Sequence, residues 1–132
     1  MRIVIDTNVL VSAIIGNGKA RQLVLKLLEE HTVILSSQML SELSEVIARD
    51  KFTVKRTQIN RFLSDLTSNS KMVPDNPRFK VILQDPDDDV ILNTAYTGNA
   101  DYIVTGDKHL LSLEKFKRTK IVNIPQMLEI LS

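Results

Sequence analysis

The sequence predicts an α/β fold, a three-layer αβα sandwich around a mostly parallel central sheet. Two observations carry this reading: short β-branched apolar runs alternate with stretches of helical periodicity, and the 132 residues with 43% hydrophobic and 25% charged content suit one globular domain spanning 1–132. Strands that alternate with helices form βαβ units, whose crossovers are right-handed and whose sheet is covered on both faces.

The elements follow in order. Arg2 to Ile5 reads as a buried strand that ends in a turn at Asp6-Thr7-Asn8. Gly16-Asn17-Gly18 breaks the chain, and Leu23, Val24, Leu27 and Leu28 recur at helical spacing between Lys19 and Glu30. Thr32 to Leu35 is a second strand. Ser36 or Ser37 caps a helix running to Arg49, with Leu40, Leu43, Val46 and Ile47 on its inner face and Glu42 off its centre. Val54 to Thr67 forms another amphipathic helix, and Asn69 to Pro77 is irregular apart from a short strand at Met72-Val73. Asp85-Pro86-Asp87-Asp88-Asp89 opens a helix that Gly98 ends, because acids are favoured where the macrodipole is positive. Tyr102 to Thr105 and Ile121 to Ile124 are the last strands, and Pro125 starts a terminal helix.

Several classes are excluded. No apolar run approaches membrane-spanning length and the N-terminus lacks a signal peptide, so a soluble cytoplasmic protein is expected. With no cysteine, disulfides and thiolate metal sites are ruled out. Seventeen basic against sixteen acidic residues give no global basic field; Lys51, Lys55, Arg56 and Arg61 form one local cluster and Lys115, Lys117, Arg118 and Lys120 another, each a solvated face or an RNA-backbone contact. A dinucleotide site lacks its glycine-rich turn, and a receiver or phosphatase lacks the second acid that its chemistry needs near Asp6. Aromatics are few and scattered along the chain, which argues against a stacking RNA-binding module.

Asp6 follows the first strand and Asp107 the strand at Tyr102 to Thr105, so both project from the carboxyl edge of the sheet, where α/β folds collect ligands. Asp89, with Asp88 beside it, opens a helix and Glu42 sits early in another, so all four can meet there. Taken singly, each acid has an ordinary reading as a cap, a turn residue or a solvated side chain. Together they repel one another, and a hard divalent cation on oxygen ligands removes that cost. Of the histidines His31 and His109, the second follows Asp107 closely enough to reach substrate.

Ile3-Val4-Ile5-Asp6-Thr7-Asn8, Ser41-Glu42-Leu43, Asp88-Asp89-Val90-Ile91-Leu92 and Ile103-Val104-Thr105-Gly106-Asp107 resemble, in order and spacing, the acidic motifs of PIN-domain nucleases. The likeness is greatest to the toxin branch of toxin–antitoxin systems. It implies a PIN-like fold and a metal-dependent ribonuclease, with Asp6, Glu42, Asp89 and Asp107 as catalytic acids on Mg²⁺ or Mn²⁺. Asn8 and Thr105 would support them. The Asp87-Asp88-Asp89 run leaves Asp88 as the alternative third acid, and Glu45 is the rival of Glu42. RNA is the implied substrate, with Lys55, Arg56 and Lys108 as phosphate contacts; a cognate antitoxin and a homodimer are the implied partners. The non-enzyme alternative is a PIN-like module that binds RNA or protein without cutting.

Overall fold

The computed structural model describes residues 1–49, 55–81 and 86–132. Lys51 of the first basic cluster, the helix start expected at Val54, and Asp85 lie outside them.

Six strands form the sheet: β1 (Arg2–Ile5), β2 (Thr32–Ser36), β3 (Ser70–Val73), β4 (Tyr102–Val104), β5 (Lys115–Phe116) and β6 (Thr119–Val122). Their order is β3-β2-β1-β4-β6-β5, and every pairing is parallel except the β5–β6 hairpin. From β1 the chain steps outward to β2 and β3, returns to β4 on the other side of β1, and continues to β6. Right-handed crossovers therefore place helices on both faces, and the direction reverses between β1 and β4, where a crevice opens at the carboxyl ends.

The helices are α1 (Thr7–Ile15), α2 (Lys19–Glu30), α3 (Ser37–Arg49), α4 (Arg56–Asn69), α5 (Pro86–Thr97), α6 (Lys108–Leu113) and α7 (Ile124–Leu131). The core joins fully buried Ile3, Ile5, Ile34, Leu35 and Ile103 of the sheet to Leu23, Leu27, Leu43, Leu66 and Leu92 of the helices. Ser36 caps α3 as its hydroxyl accepts from the Met39 N–H at 3.3 Å. Asn123 and Gln126 form a reciprocal capping box on α7.

Four elements differ from the sequence reading. The expected turn Asp6-Thr7-Asn8 is the N-cap and first two residues of α1, which buries Val9, Leu10, Ala13 and Ile14 at helical spacing; the β-branched residues around them mask that period. The six-residue α6 and two-residue β5 are too short to show a period of their own. Gly98 follows α5 but is not its left-handed cap: that conformation falls to Asn99 (φ 51°). Glycine is required at 98 for space, because a Cβ there would lie 2.7 Å from Ile34 Cγ2.

Candidate active site

β1 and β4 run side by side, and the ladder extends one step past them: the Asp6 N–H donates to the Val104 carbonyl at 2.9 Å. That step brings the two strand ends into one site. The buried Thr105 hydroxyl donates to Asp6 Oδ2 at 2.6 Å and accepts from the Asp107 N–H at 3.0 Å, so one side chain fixes both acids. Each acid also caps a helix. Asp6 accepts from the Asn8 N–H at 3.2 Å, and Asp107 from the N–H groups of His109 and Leu110 at 2.8 and 3.1 Å.

A cavity of about 300 Å³ is lined by Asp6, Asn8, Glu42, Glu45, Asp87 and Asp88, with Thr7 also on its wall. The Thr7 hydroxyl is buried and has no hydrogen-bond partner among the described residues. Around the corner, ligand atoms of Asp88, Asp107 and His109 lie within 4.8 Å of one another. Asn8 reaches a second cavity of about 650 Å³, shared with Ser12, Thr105, Lys108, His109 and Asn123.

Crowding of like charges leaves its mark on the proton affinities. Glu42 is pushed up from 4.5 to about 7, first by burial and then by Asp87, with which it also shares a hydrogen bond, and by Asp6 and Glu45. Asp107 moves the other way. Partial burial raises it, but the Leu110 N–H, a hydrogen bond with Asp88, the His109 N–H and the nearby imidazole outweigh that and hold the carboxyl below its ordinary 3.8. Oxygen donors of this density, together with one imidazole, are a donor set for a hard divalent cation.

Asp6, Glu42, Asp107, Asn8 and Thr105 thus converge, as the spacing of the sequence suggests. The two candidates for the third acid stand in different places. Asp88 is 5% exposed and belongs to the cluster, whereas Asp89 Oδ1 accepts from the Val81 N–H at 2.9 Å and lines a different cavity, beside Asn93 and Phe79. Successive helix residues point about 100° apart, and α5 is turned so that Asp87 and Asp88 flank the acidic cavity while Asp89 faces the neighbouring one. Lys108 lies on the rim of the second cavity; exposed Lys55 and Arg56, at the start of α4, line neither. Asp87, held against Glu42, was not singled out from the sequence. Its only signal is membership of the three-aspartate run.

A PIN domain family model matches residues 2–109. An uncharacterized protein of Methanocaldococcus jannaschii is 35% identical over 130 residues, covering 94% of this chain and 83% of that protein. Among solved structures, VapBC2 from Rickettsia felis, crystallised bound to a DNA fragment from their promoter, contains a chain similar to this one with a TM-score of 0.65 and 19% identity. That similarity covers 93% of this chain and 98% of that one, and it is a likeness of fold. No helix among the described residues is long and apolar enough to cross a membrane. With the family model spanning all but the last part of the sequence and taking in Asp6, Glu42, Asp88 and Asp107, this chain belongs to the PIN domain family.

Proposed function

We propose that residues 1–132 act as one nuclease domain, a ribonuclease that hydrolyses RNA phosphodiester bonds with Mg²⁺ or Mn²⁺. The observation that carries the reading is the convergence of Asp6, Glu42, Asp88 and Asp107 at the reversal point of the sheet. A divalent cation held by these acids would lower the pKa of a bound water and offset charge on the scissile phosphate. The chain's own part is positioning. Thr105 locks Asp6 and Asp107 in register, the start of α6 keeps Asp107 ionised, and Glu42, pushed up to about 7 in the metal-free fold, would give up its proton in favour of the cation it helps to hold. Lys108 and His109, on the rim of the adjoining cavity, contact the phosphates that flank the cut; Lys55 and Arg56 are candidates for a more distant contact.

The toxin role in a toxin–antitoxin pair is part of this proposal, supported by the likeness to a chain of the VapBC2 assembly and by the sequence resemblance. A cognate antitoxin would be the partner, and a homodimer the form in which the family resemblance casts the free protein.

The reading is tested on RNA with Mn²⁺ or Mg²⁺ and with EDTA. Cleavage should require the metal, and Asp88→Asn should lose it by a factor of about 100 or more while Asp89→Asn keeps most of it. Equal cleavage in EDTA would refute metal dependence. Metal-independent RNA binding without cleavage would return the non-catalytic module.

A further inference from the structure

The fold gathers what the sequence scatters. Phe79, Tyr96 and Phe116, three of the six aromatic residues, pack edge to face, with ring centroids 4.9 Å apart for Phe79–Tyr96 and 5.3 Å for Phe79–Phe116. Two cations lie over these rings. Arg78 is 5.2 Å from the Tyr96 centroid and 5.6 Å from that of Phe79, and Lys117 is 5.1 Å from Phe79 and 5.8 Å from Phe116. Neither has an ion pair with an acid among the described residues, in contrast to Arg118, which pairs with Asp101 at 2.5 Å.

This arrangement is held in place deliberately. Asn93, 6% exposed, accepts from the N–H groups of Arg78 and Phe79 at 3.0 and 2.8 Å and donates to the Phe79 carbonyl at 3.0 Å, so a buried amide pins both residues onto α5. From the other side, the β5–β6 hairpin delivers Phe116 and Lys117 from the second basic cluster. Beside Tyr96, a cavity of about 390 Å³ is lined by that ring, Asn76, Asn99, Lys117 and Arg118. The Tyr96 ring, the amides of Asn76 and Asn99 and the Lys117 cation around this cavity, with Arg78 held against Tyr96 beside it, match a nucleotide: a base to stack, its edge to hydrogen-bond, and a phosphate to neutralise.

The geometry points to a second RNA-binding site on this surface, one that holds single-stranded RNA flanking the scissile phosphate. It rests on the reading of the chain as a ribonuclease and specifies an unpaired strand as its substrate. Tyr96 lies eight residues along α5 from Asp88, about 12 Å at the helical rise and about 80° around the axis, so a strand that follows α5 and winds partly round it reaches both sites.

Affinity is measured in EDTA, so that binding is separated from cleavage, by fluorescence anisotropy of a labelled single-stranded RNA of about a dozen nucleotides. Because both side chains are exposed, the double variant Arg78→Gln/Lys117→Gln should keep the wild-type melting temperature. It should bind about tenfold more weakly, with a slope of log affinity against log salt shallower by about 1.4, the value for two phosphate contacts on a single strand. Tyr96→Leu should weaken binding about tenfold with the slope kept, since stacking releases no counterions. Unchanged affinity and slope in the double variant would overturn the site. So would a wild-type protein that ignores RNA but binds a poly-glutamate peptide through Arg78 and Lys117, because the face would then receive an acidic protein segment. The nuclease reading fails separately: RNA bound through this patch but never cut with Mn²⁺ leaves the second site standing and removes the enzyme.

Discussion

Glu42 reports most directly on what gathers around it. Its carboxyl takes a proton more readily in the folded chain than in the unfolded one, with about 7 against the ordinary 4.5. Between those values the folded state binds more protons, so metal-free stability should fall as the pH rises from about 4.5 through about 7. Asp107, shifted downward, acts only at pH values below that window. Urea midpoints in EDTA across this range should decline for the wild type and flatten for Glu42→Gln; parallel pH profiles would mean that Glu42 is not in a repulsive cluster. Thr7 adds a different sign at the same place, a buried hydroxyl with no hydrogen-bond partner among the described residues on the wall of the acidic cavity, where a polar ligand would satisfy it. Neither signal is legible in the sequence. The positions of Asp6 and Asp107 are, because strand ends are marked by composition, whereas choosing Asp88 over Asp89 requires the rotation of α5 about its axis.

Helix α5 does three jobs along its length. Its first turn offers Asp87 and Asp88 to the site, its middle uses Asn93 to pin Phe79, and its end docks on β2 through Gly98. The last contact makes a sharp test. In Gly98→Ala the new Cβ would fall 2.7 and 2.8 Å from two carbons of Ile34, which is fully buried, and 3.2 Å from the Thr94 carbonyl oxygen. Overpacking of this kind costs about 1–3 kcal/mol. Gly18→Ser, at a position with open space and at the N-cap of α2, should cost nothing or stabilise slightly. Denaturant midpoints that fall equally for both would show that Gly98 is kept for chain flexibility and not for fit. From the sequence Gly98 reads as a helix stop, which is right in place and wrong in cause.

At the scale of the whole molecule, five carboxylates (Asp6, Glu42, Glu45, Asp87 and Asp88) share a cavity wall with one arginine, Arg49, and that excess of like charge weakens the fold that holds it. Adding Mn²⁺ should therefore raise the melting temperature in a concentration-dependent way, since a ligand of the folded state stabilises by mass action. Asp6→Asn should match or exceed the metal-free stability of the wild type and gain much less from Mn²⁺. A thermal scan in which both proteins respond alike would remove Asp6 from the site. The alternation of strands and helices, and hence the sandwich, was readable because each long element buries a face of one period. The aromatic patch was not, because Phe79, Tyr96 and Phe116 belong to three segments that only the tertiary fold joins. The bond from Thr105 to Asp6 spans 99 residues, and β1 finds β4 only across that distance. During synthesis the chain leaves the ribosome from its amino end, so for most of its translation Asp6 has no Thr105 or Asp107 to meet. A nascent chain carries Asp6, Glu42 and Asp88 well before Thr105 and Asp107 emerge, so the two hydrogen bonds that set Asp6 against Asp107 are among the last links of the acidic centre to form.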